Sequence, residues 1–232
     1  MMRILMVAAL PMEFPGILAH SSEPRTRKVA ADWARSARVG DHDVLMVANG
    51  AGARRAAAAV DAAVAGFEPD AVISTGFCAA LAPGFAVADV VVGTSVAGAQ
   101  KSYPALQPES SAAHHKGIVC SIDHVARTAR EKRRLHAEGA SAVEMEASGV
   151  AERAETLGLP FYCVRAVTDL AGEDMANDFN RALREDGHFD TMLILRGTLG
   201  NPWVCLPELF RLRNRCVRAA SVLGEFIADC RF

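Results

Sequence analysis

Three acidic residues stand where an apolar segment stops. Glu13 follows Ala9-Leu10-Pro11-Met12, Glu146 lies in Val143-Glu144-Met145-Glu146-Ala147, and Asp169 closes Val164-Arg165-Ala166-Val167-Thr168-Asp169. A carboxyl group in such a place is partly withdrawn from water, which disfavours its charged form and lifts its pKa toward neutrality. Carboxyls of that kind serve as general acid and general base near neutral pH. Singly, each also suits a helix N-cap or a solvated surface position. Their recurrence at three strand ends points to a shared site. A further turn, Ser74-Thr75-Gly76-Phe77-Cys78, follows an apolar run in the same way.

The elements that must position these groups follow from the apolar pattern. Residues 3–9, 44–48, 71–75, 89–95, 117–121 and 161–167 are short, rich in Val and Ile and continuously apolar, as strands covered on both faces are. Ala-rich stretches with helical spacing lie between them, at 53–65 before Gly66 and at 146–157 before Gly158-Leu159-Pro160. The alternation predicts an α/β fold, a mostly parallel central sheet flanked by helices, in one domain over residues 1–232. Such sheets bind ligands beyond the carboxyl ends of their strands.

Residues 98–116 read as a loop over one edge. Residues 174–207 are polar, broken by Gly and Pro, and lead into an amphipathic helix over 208–229, so 174–232 forms a helical C-terminal addition. That helix sets Leu209, Leu212, Val217, Leu223 and Ile227 against Arg211, Arg213, Arg215 and Arg218. A solvated face and a face toward an anionic partner or membrane surface both fit those arginines.

Composition removes several function classes. A hydrophobic fraction of 51% excludes wholesale disorder, and 25 basic against 27 acidic residues give no electrostatic footprint for a nucleic-acid backbone. The six cysteines are scattered without a C-x-x-C pair, the pattern of reduced thiols in a cytoplasmic protein. The apolar run 4–10 ends abruptly at Pro11-Met12-Glu13 and reads as a first strand rather than a signal peptide, and no stretch is long enough to span a bilayer. His114, His115 and His124 form no i, i+4 pair, so no metal site is expected, and the absence of a G-x-S-x-G turn excludes a Ser-His-Asp hydrolase of that type.

The element Val143-Glu144-Met145-Glu146-Ala147 with Arg165-Ala166-Val167-Thr168-Asp169 downstream resembles the paired signature of the nucleoside phosphorylase and nucleosidase superfamily. Within it, Ala9-Leu10-Pro11-Met12-Glu13 and Thr75-Gly76 with Ala79-Ala80-Leu81-Ala82-Pro83 resemble the 5′-methylthioadenosine/S-adenosylhomocysteine nucleosidase branch. The resemblance runs over about residues 3–174 and implies cleavage of a purine ribonucleoside at its N-glycosidic bond by a homodimer without a cofactor. It implies that Asp169 protonates N7 of the departing purine and that Glu13 activates water. Glu146 would hold the ribose hydroxyls beside Met145 and Glu144, and the Thr75-Gly76-Phe77 turn and the backbone near Ala171 would lie against the substrate.

The departures carry expectations of their own. Phe77 and Cys78 replace a small polar residue, His124 stands where an aromatic base-stacking residue is expected, the loop at 98–116 is shorter, and the chain ends in a helix those nucleosidases lack. The 5′ group accepted should therefore differ from methylthio. The tail, with Ala182-Leu183-Arg184-Glu185-Asp186-Gly187 and Leu206-Pro207-Glu208-Leu209, resembles hopanoid-associated phosphorylases, whose role is to strip adenine from an adenosyl-lipid. A lipid-linked substrate would then use Phe77 and Trp203 to make room for its chain; the same two residues also suit plain core packing.

Phosphate as co-substrate would need amides and an arginine, and Gly50, Gly52 and Arg54 offer them after a strand. The same residues suit a tight strand-to-helix turn with two solvated arginines, and Glu13 would repel a phosphate, which favours water. Gly50-Ala51-Gly52 also half-fits a dinucleotide turn, with Arg55 in place of the third glycine. An NAD-dependent oxidoreductase is the weaker rival on that ground. A non-catalytic nucleoside-binding protein is the other, though it leaves Glu13, Glu146 and Asp169 without a task.

Overall fold

A computed structural model describes all 232 residues. Ten strands are present: β1 (Arg3–Ala8), β2 (Ser21–Thr26), β3 (Trp33–Val39), β4 (His42–Ala48), β5 (Ala71–Ala80), β6 (Val90–Ala97), β7 (Ser102–Pro104), β8 (His115–Ser121), β9 (Ala140–Glu144) and β10 (Phe161–Asp169). The helices are α1 (Pro15–Ala19), α2 (Ala53–Val64), α3 (Ala129–Ala137), α4 (Ala147–Leu157), α5 (Phe179–Ala182), α6 (Thr191–Gly200) and α7 (Pro202–Asp229).

The continuously apolar runs form the buried strands. β1 lies parallel between β4 and β5, with Ile4 against both Val44 and Ala71, and β10 runs parallel to β5. A second parallel set joins β6, β8 and β9. The sheet is mixed because β6 meets β10 and β9 meets β5 antiparallel, while β2, β3 and β4 form an antiparallel edge. β5 is long enough to hold three neighbours: its first half pairs with β1, its end (Ala79, Ala80) pairs with β9, and β10 runs alongside both parts. The strands β5, β10, β6, β8 and β9 thereby close into a ring.

Both faces are covered, as near-continuous apolar strands require. α2 and α4 bury Ala56, Val60, Val150 and Ala154 on one face; on the other, Phe14 just before α1, Ile17 of α1 and Leu223, Phe226 and Ile227 of α7 are buried. α1 and α7 touch backbone to backbone: a Cβ on Gly224 would stand 2.0 Å from the carbonyl carbon of Gly16. The C-terminal helix is thus locked to the first turn of the chain.

The polar strands β2 and β3 escape an apolar-run criterion because they form the solvent-facing edge. The stretch 98–116 contains β7, and 174–207 holds α5, α6 and the start of α7, which begins at Pro202 rather than at 208. The expected division of that helix is also corrected. Leu223 and Ile227 are buried, whereas Val217 faces outward with the arginines.

Candidate active site

The strand ends meet around a cavity of about 410 Å³ whose walls include Glu146, Asp169, Met145, Phe77 and Leu10. β9 delivers the first acid pair. Glu144, its last residue, turns its carboxylate onto the start of α4, where Oε2 accepts from the Glu146 and Ala147 amides at 2.9 Å each. An anion there satisfies orphan donors at the positive end of the helix. Glu144 also pairs with Arg165 Nη2 at 2.5 Å, so its oxygens are occupied. These contacts hold the turn, and Glu144 also forms part of the cavity wall.

That turn leaves Glu146 at the mouth of α4, with Oε1 accepting from the Gly52 amide at 3.0 Å and Oε2 3.8 Å from Arg165 Nη1. Burial, then repulsion from Glu144, pushes its pKa up. Arg165 is wholly buried and also donates to Thr75 O at 2.7 Å and Ser74 Oγ at 2.5 Å. A buried guanidinium is tolerable only with such partners.

Glu13 stands in a short helical turn (Pro11–Glu13) after β1, with its oxygens accepting from the Leu10 amide at 2.7 Å and the Phe77 amide at 2.8 Å. It lies just behind the wall that Leu10 and Phe77 form, and burial raises its pKa although these amides and Arg165 oppose the shift. Gly76, at φ +124°, makes room for it: a Cβ there would stand 2.2 Å from Glu13 Oε1. Thr75 is fully buried and, like Gly76, backs the site without lining the cavity.

Asp169 ends β10 and is ion-paired with Lys132, a wholly buried lysine from α3. Lys132 is fixed by donating to Leu170 O and Glu173 O, both at 2.9 Å. Burial lifts the Asp169 pKa and Lys132 pulls it back. Glu173 in turn holds Arg215 of α7 through two bonds of 2.5 and 2.9 Å, which tethers the loop after β10 to the tail.

Other expected site residues divide. Phe77 is half-buried: it lines the cavity and also packs on the core. His124 reaches the cavity wall, but its Nδ1 contacts Asp123 at 2.7 Å and its Nε2 contacts Glu131 at 2.6 Å, and both carboxylates raise its pKa. Both ring nitrogens are thereby engaged by carboxylates, which fixes the plane of the ring at the cavity wall. Ala171 does not line the cavity. Trp203 is neither core nor cavity wall, being 89% exposed.

The amides of the possible phosphate cradle already have acceptors within the chain. The amides of Gly50, Ala51 and Gly52 donate to Ala9 O, Gly187 O and Glu146 Oε1. Arg54 is exposed, donates to Glu185 O at 3.2 Å and, with Gly52, lines a neighbouring groove of about 890 Å³. Gly50 and Gly52, at φ +82° and +103°, shape the strand-to-helix turn that these residues were also expected to form.

Lys132 and the tail's share of the wall, Met175, Phe179, Phe189, Ile194, Leu209, Leu212, Arg213 and Cys216, do not stand out in the sequence as site residues. A signal for Lys132 existed. Ala129, Lys132 and Leu135 recur at i, i+3, i+6 on the buried face of α3, so one cation of the Lys132-Arg133-Arg134 run had to be inside.

The model of the phosphorylase superfamily matches residues 3–114 and 105–190. A 5′-methylthioadenosine/S-adenosylhomocysteine nucleosidase of Shewanella sediminis is 23% identical over 224 residues, covering 84% of this chain and 97% of that protein. Among solved structures, the nucleosidase of that name from Neisseria meningitidis, in complex with methylthio-immucillin-A, matches with a TM-score of 0.71 at 19% identity over 98% of this chain and 97% of its own. A futalosine hydrolase mutant of Helicobacter pylori matches with a TM-score of 0.72 at 13% identity, over 98% of this chain and 97% of its own. The two structural likenesses take in 98% of this chain, α7 included, whereas the family model ends at residue 190, before that helix.

Proposed function

This chain belongs to the phosphorylase superfamily, and from that premise we propose that it hydrolyses the N-glycosidic bond of an adenosine-type ribonucleoside carrying an apolar 5′ group. At the coarser level it is an enzyme of purine nucleoside cleavage, as its nucleosidase relatives indicate. The observation that carries the finer reading is the pairing in one cavity of Glu146, aimed by the Gly52 amide, with Asp169, backed by buried Lys132.

Asp169 donates a proton to N7 of the purine as the bond from C1′ to the base breaks. The carboxylate it leaves meets the Lys132 ammonium, which makes Asp169 a stronger acid at the moment of transfer. Positive charge develops on the sugar, and Glu146 stabilises it while accepting the ribose hydroxyls. Glu13, whose carboxylate lies behind the wall of Leu10 and Phe77, is the base assigned to water: on this reading a water admitted between those two residues gives Glu13 a proton as its oxygen bonds to C1′. The two amides fix its orientation and leave lone pairs for that water. An acid on the leaving group and a base on water parallel inverting glycoside hydrolysis.

Water is favoured over phosphate because the cradle amides already have acceptors and Glu13 would repel a dianion. The apolar 5′ group is read from the tail's walls, where Met175, Phe179, Ile194, Leu209 and Leu212 offer no hydrogen bonds to a polar substituent. The same walls favour the second reading, an adenosyl-lipid of the hopanoid kind.

The test is base release from adenosine, 5′-methylthioadenosine and a 5′-alkyl adenosine, with and without phosphate. Adenine with free ribose product, fastest for the alkyl substrate and indifferent to phosphate, is expected. Release only with phosphate overturns hydrolysis, and no release from any of the three overturns the glycosidic reading.

A further inference from the structure

α6 is an apolar helix with almost no protein to cover it. Its sequence, Thr191-Met192-Leu193-Ile194-Leu195-Arg196-Gly197-Thr198-Leu199-Gly200, buries only Thr198, while Met192 is 66% and Leu199 74% exposed. α7 continues the surface. Trp203, Leu206, Phe210 and Val217 are exposed and recur at i, i+3, i+7 and i+14, a stripe about 21 Å long on one side of the helix at 1.5 Å per residue. The opposite stripe, with Cys205, Leu212, Cys216 and Leu223, faces cavity or core. α7 therefore has two apolar faces and uses one.

Charge around the unused face is one-sided. On the helical wheel Arg211 and Arg218 border the stripe on one flank and Arg213 on the other; all are exposed, as is Arg196. None of these four is ion-paired, in contrast to Arg215, which Glu173 takes. The one acid between 191 and 224 is Glu208, which is buried and accepts from the Ala176 and Asn177 amides. A chain of net charge −2 has thus gathered unpaired cations beside its most exposed aromatic and aliphatic side chains.

We propose that α6 and α7 as far as Arg218 dock on the surface of a bilayer containing anionic lipid, with Trp203, Leu199, Met192 and Phe210 entering the interface and Arg211 and Arg218 on the headgroups. Aliphatic and Trp side chains flanked by arginine are the composition of an interfacial helix, and the excess of arginine over exposed acid selects anionic headgroups. No helix is long and apolar enough to cross a membrane, so the contact lies on the surface. The inner stripe of the same helix lines the nucleoside cavity through Leu209 and Leu212, which places the cavity beside the docked face. The inference holds whichever nucleoside is cleaved.

The test mixes full-length protein with vesicles of equimolar phosphatidylcholine and phosphatidylglycerol, and with vesicles of phosphatidylcholine alone. Flotation gives binding, and tryptophan emission reports insertion. Expected are binding to the mixed vesicles with a blue shift, weakening as salt rises. Trp203→Asp and Phe210→Asp should each weaken binding on the order of tenfold or more, and Arg211→Gln with Arg218→Gln about twenty- to thirtyfold. None of these positions lines the cavity, so nucleoside cleavage in solution should persist and shows that each variant is folded. Three results overturn the proposal: no binding to the mixed vesicles at low salt, binding untouched by Trp203→Asp and Phe210→Asp, or a smaller sedimenting mass for Trp203→Asp, which would assign the face to a second copy of the chain.

Discussion

The strand-end half of the cavity and the half supplied by residues 174–229 are built on opposite terms. In the first, polar groups are positioned by other polar groups. Arg165 answers Glu144, two amides answer Glu13, the Gly52 amide answers Glu146, and Lys132 answers Asp169. In the second, Met175, Phe179, Ile194, Leu209 and Leu212 face the cavity, and Arg213 is the only charged side chain. A bond-breaking centre needs fixed charges at fixed places, because charge that moves on demand costs reorganisation. A specificity wall needs volume and dryness. The two halves should therefore fail differently when altered.

The largest effect is expected at the leaving-group acid. Asp169→Asn keeps the shape and removes the proton, so kcat/KM should fall by on the order of 10²–10⁴; because it also leaves the buried Lys132 ammonium without its anion, the melting temperature should fall as well. Near-wild-type turnover would remove Asp169 from the chemistry.

Lys132→Met sharpens the same half. It leaves Asp169 buried without its cation, which typically costs about 3–5 kcal/mol when the acid is ionised. The Asp169 pKa is already raised by burial, and loss of Lys132 raises it further. A raised folded-state pKa contributes stability at low pH that is lost as pH rises through it. Thermal melts of the variant should therefore approach wild type in acid and fall away in alkali, and the alkaline limb of the kcat/KM profile should move to higher pH. A deficit independent of pH would show that Lys132 serves packing alone.

The tail half should respond through selectivity. Leu209→Ala and Leu212→Ala are each expected to lower kcat/KM for a 5′-alkyl adenosine by about 1–3 kcal/mol of transition-state binding, with adenosine itself almost unaffected. Equal losses on both substrates would erase the distinction between the halves. The smallest effect is expected at the groove: Arg54→Ala should change kcat/KM by less than about 0.5 kcal/mol, as surface substitutions do, with or without phosphate. A variant that loses phosphate stimulation would reopen phosphorolysis.

Much of the first half was legible in the sequence. Continuous apolar runs locate β1, β5, β6, β8 and β10, and acids placed just beyond such runs single out Glu13, Glu146 and Asp169. What escaped was long-range pairing. Nothing beside Glu144 in the sequence shows that Arg165, twenty-one positions on, pairs with it, and nothing beside Gly50-Ala51-Gly52 shows that Ala9, Gly187 and Glu146 take those amides. The tail was harder still, because α6 carries the apolar content of a core helix at the surface, and burial cannot be inferred from hydropathy where a helix has no protein partner.

The most direct test is the structure of the Asp169→Asn variant with 5′-methylthioadenosine bound. The account predicts the purine N7 within about 3 Å of the side chain at position 169, the ribose hydroxyls on Glu146, and the 5′ carbon directed at Leu209 and Leu212. A nucleoside lying in the neighbouring groove with its sugar away from Glu146 would contradict it.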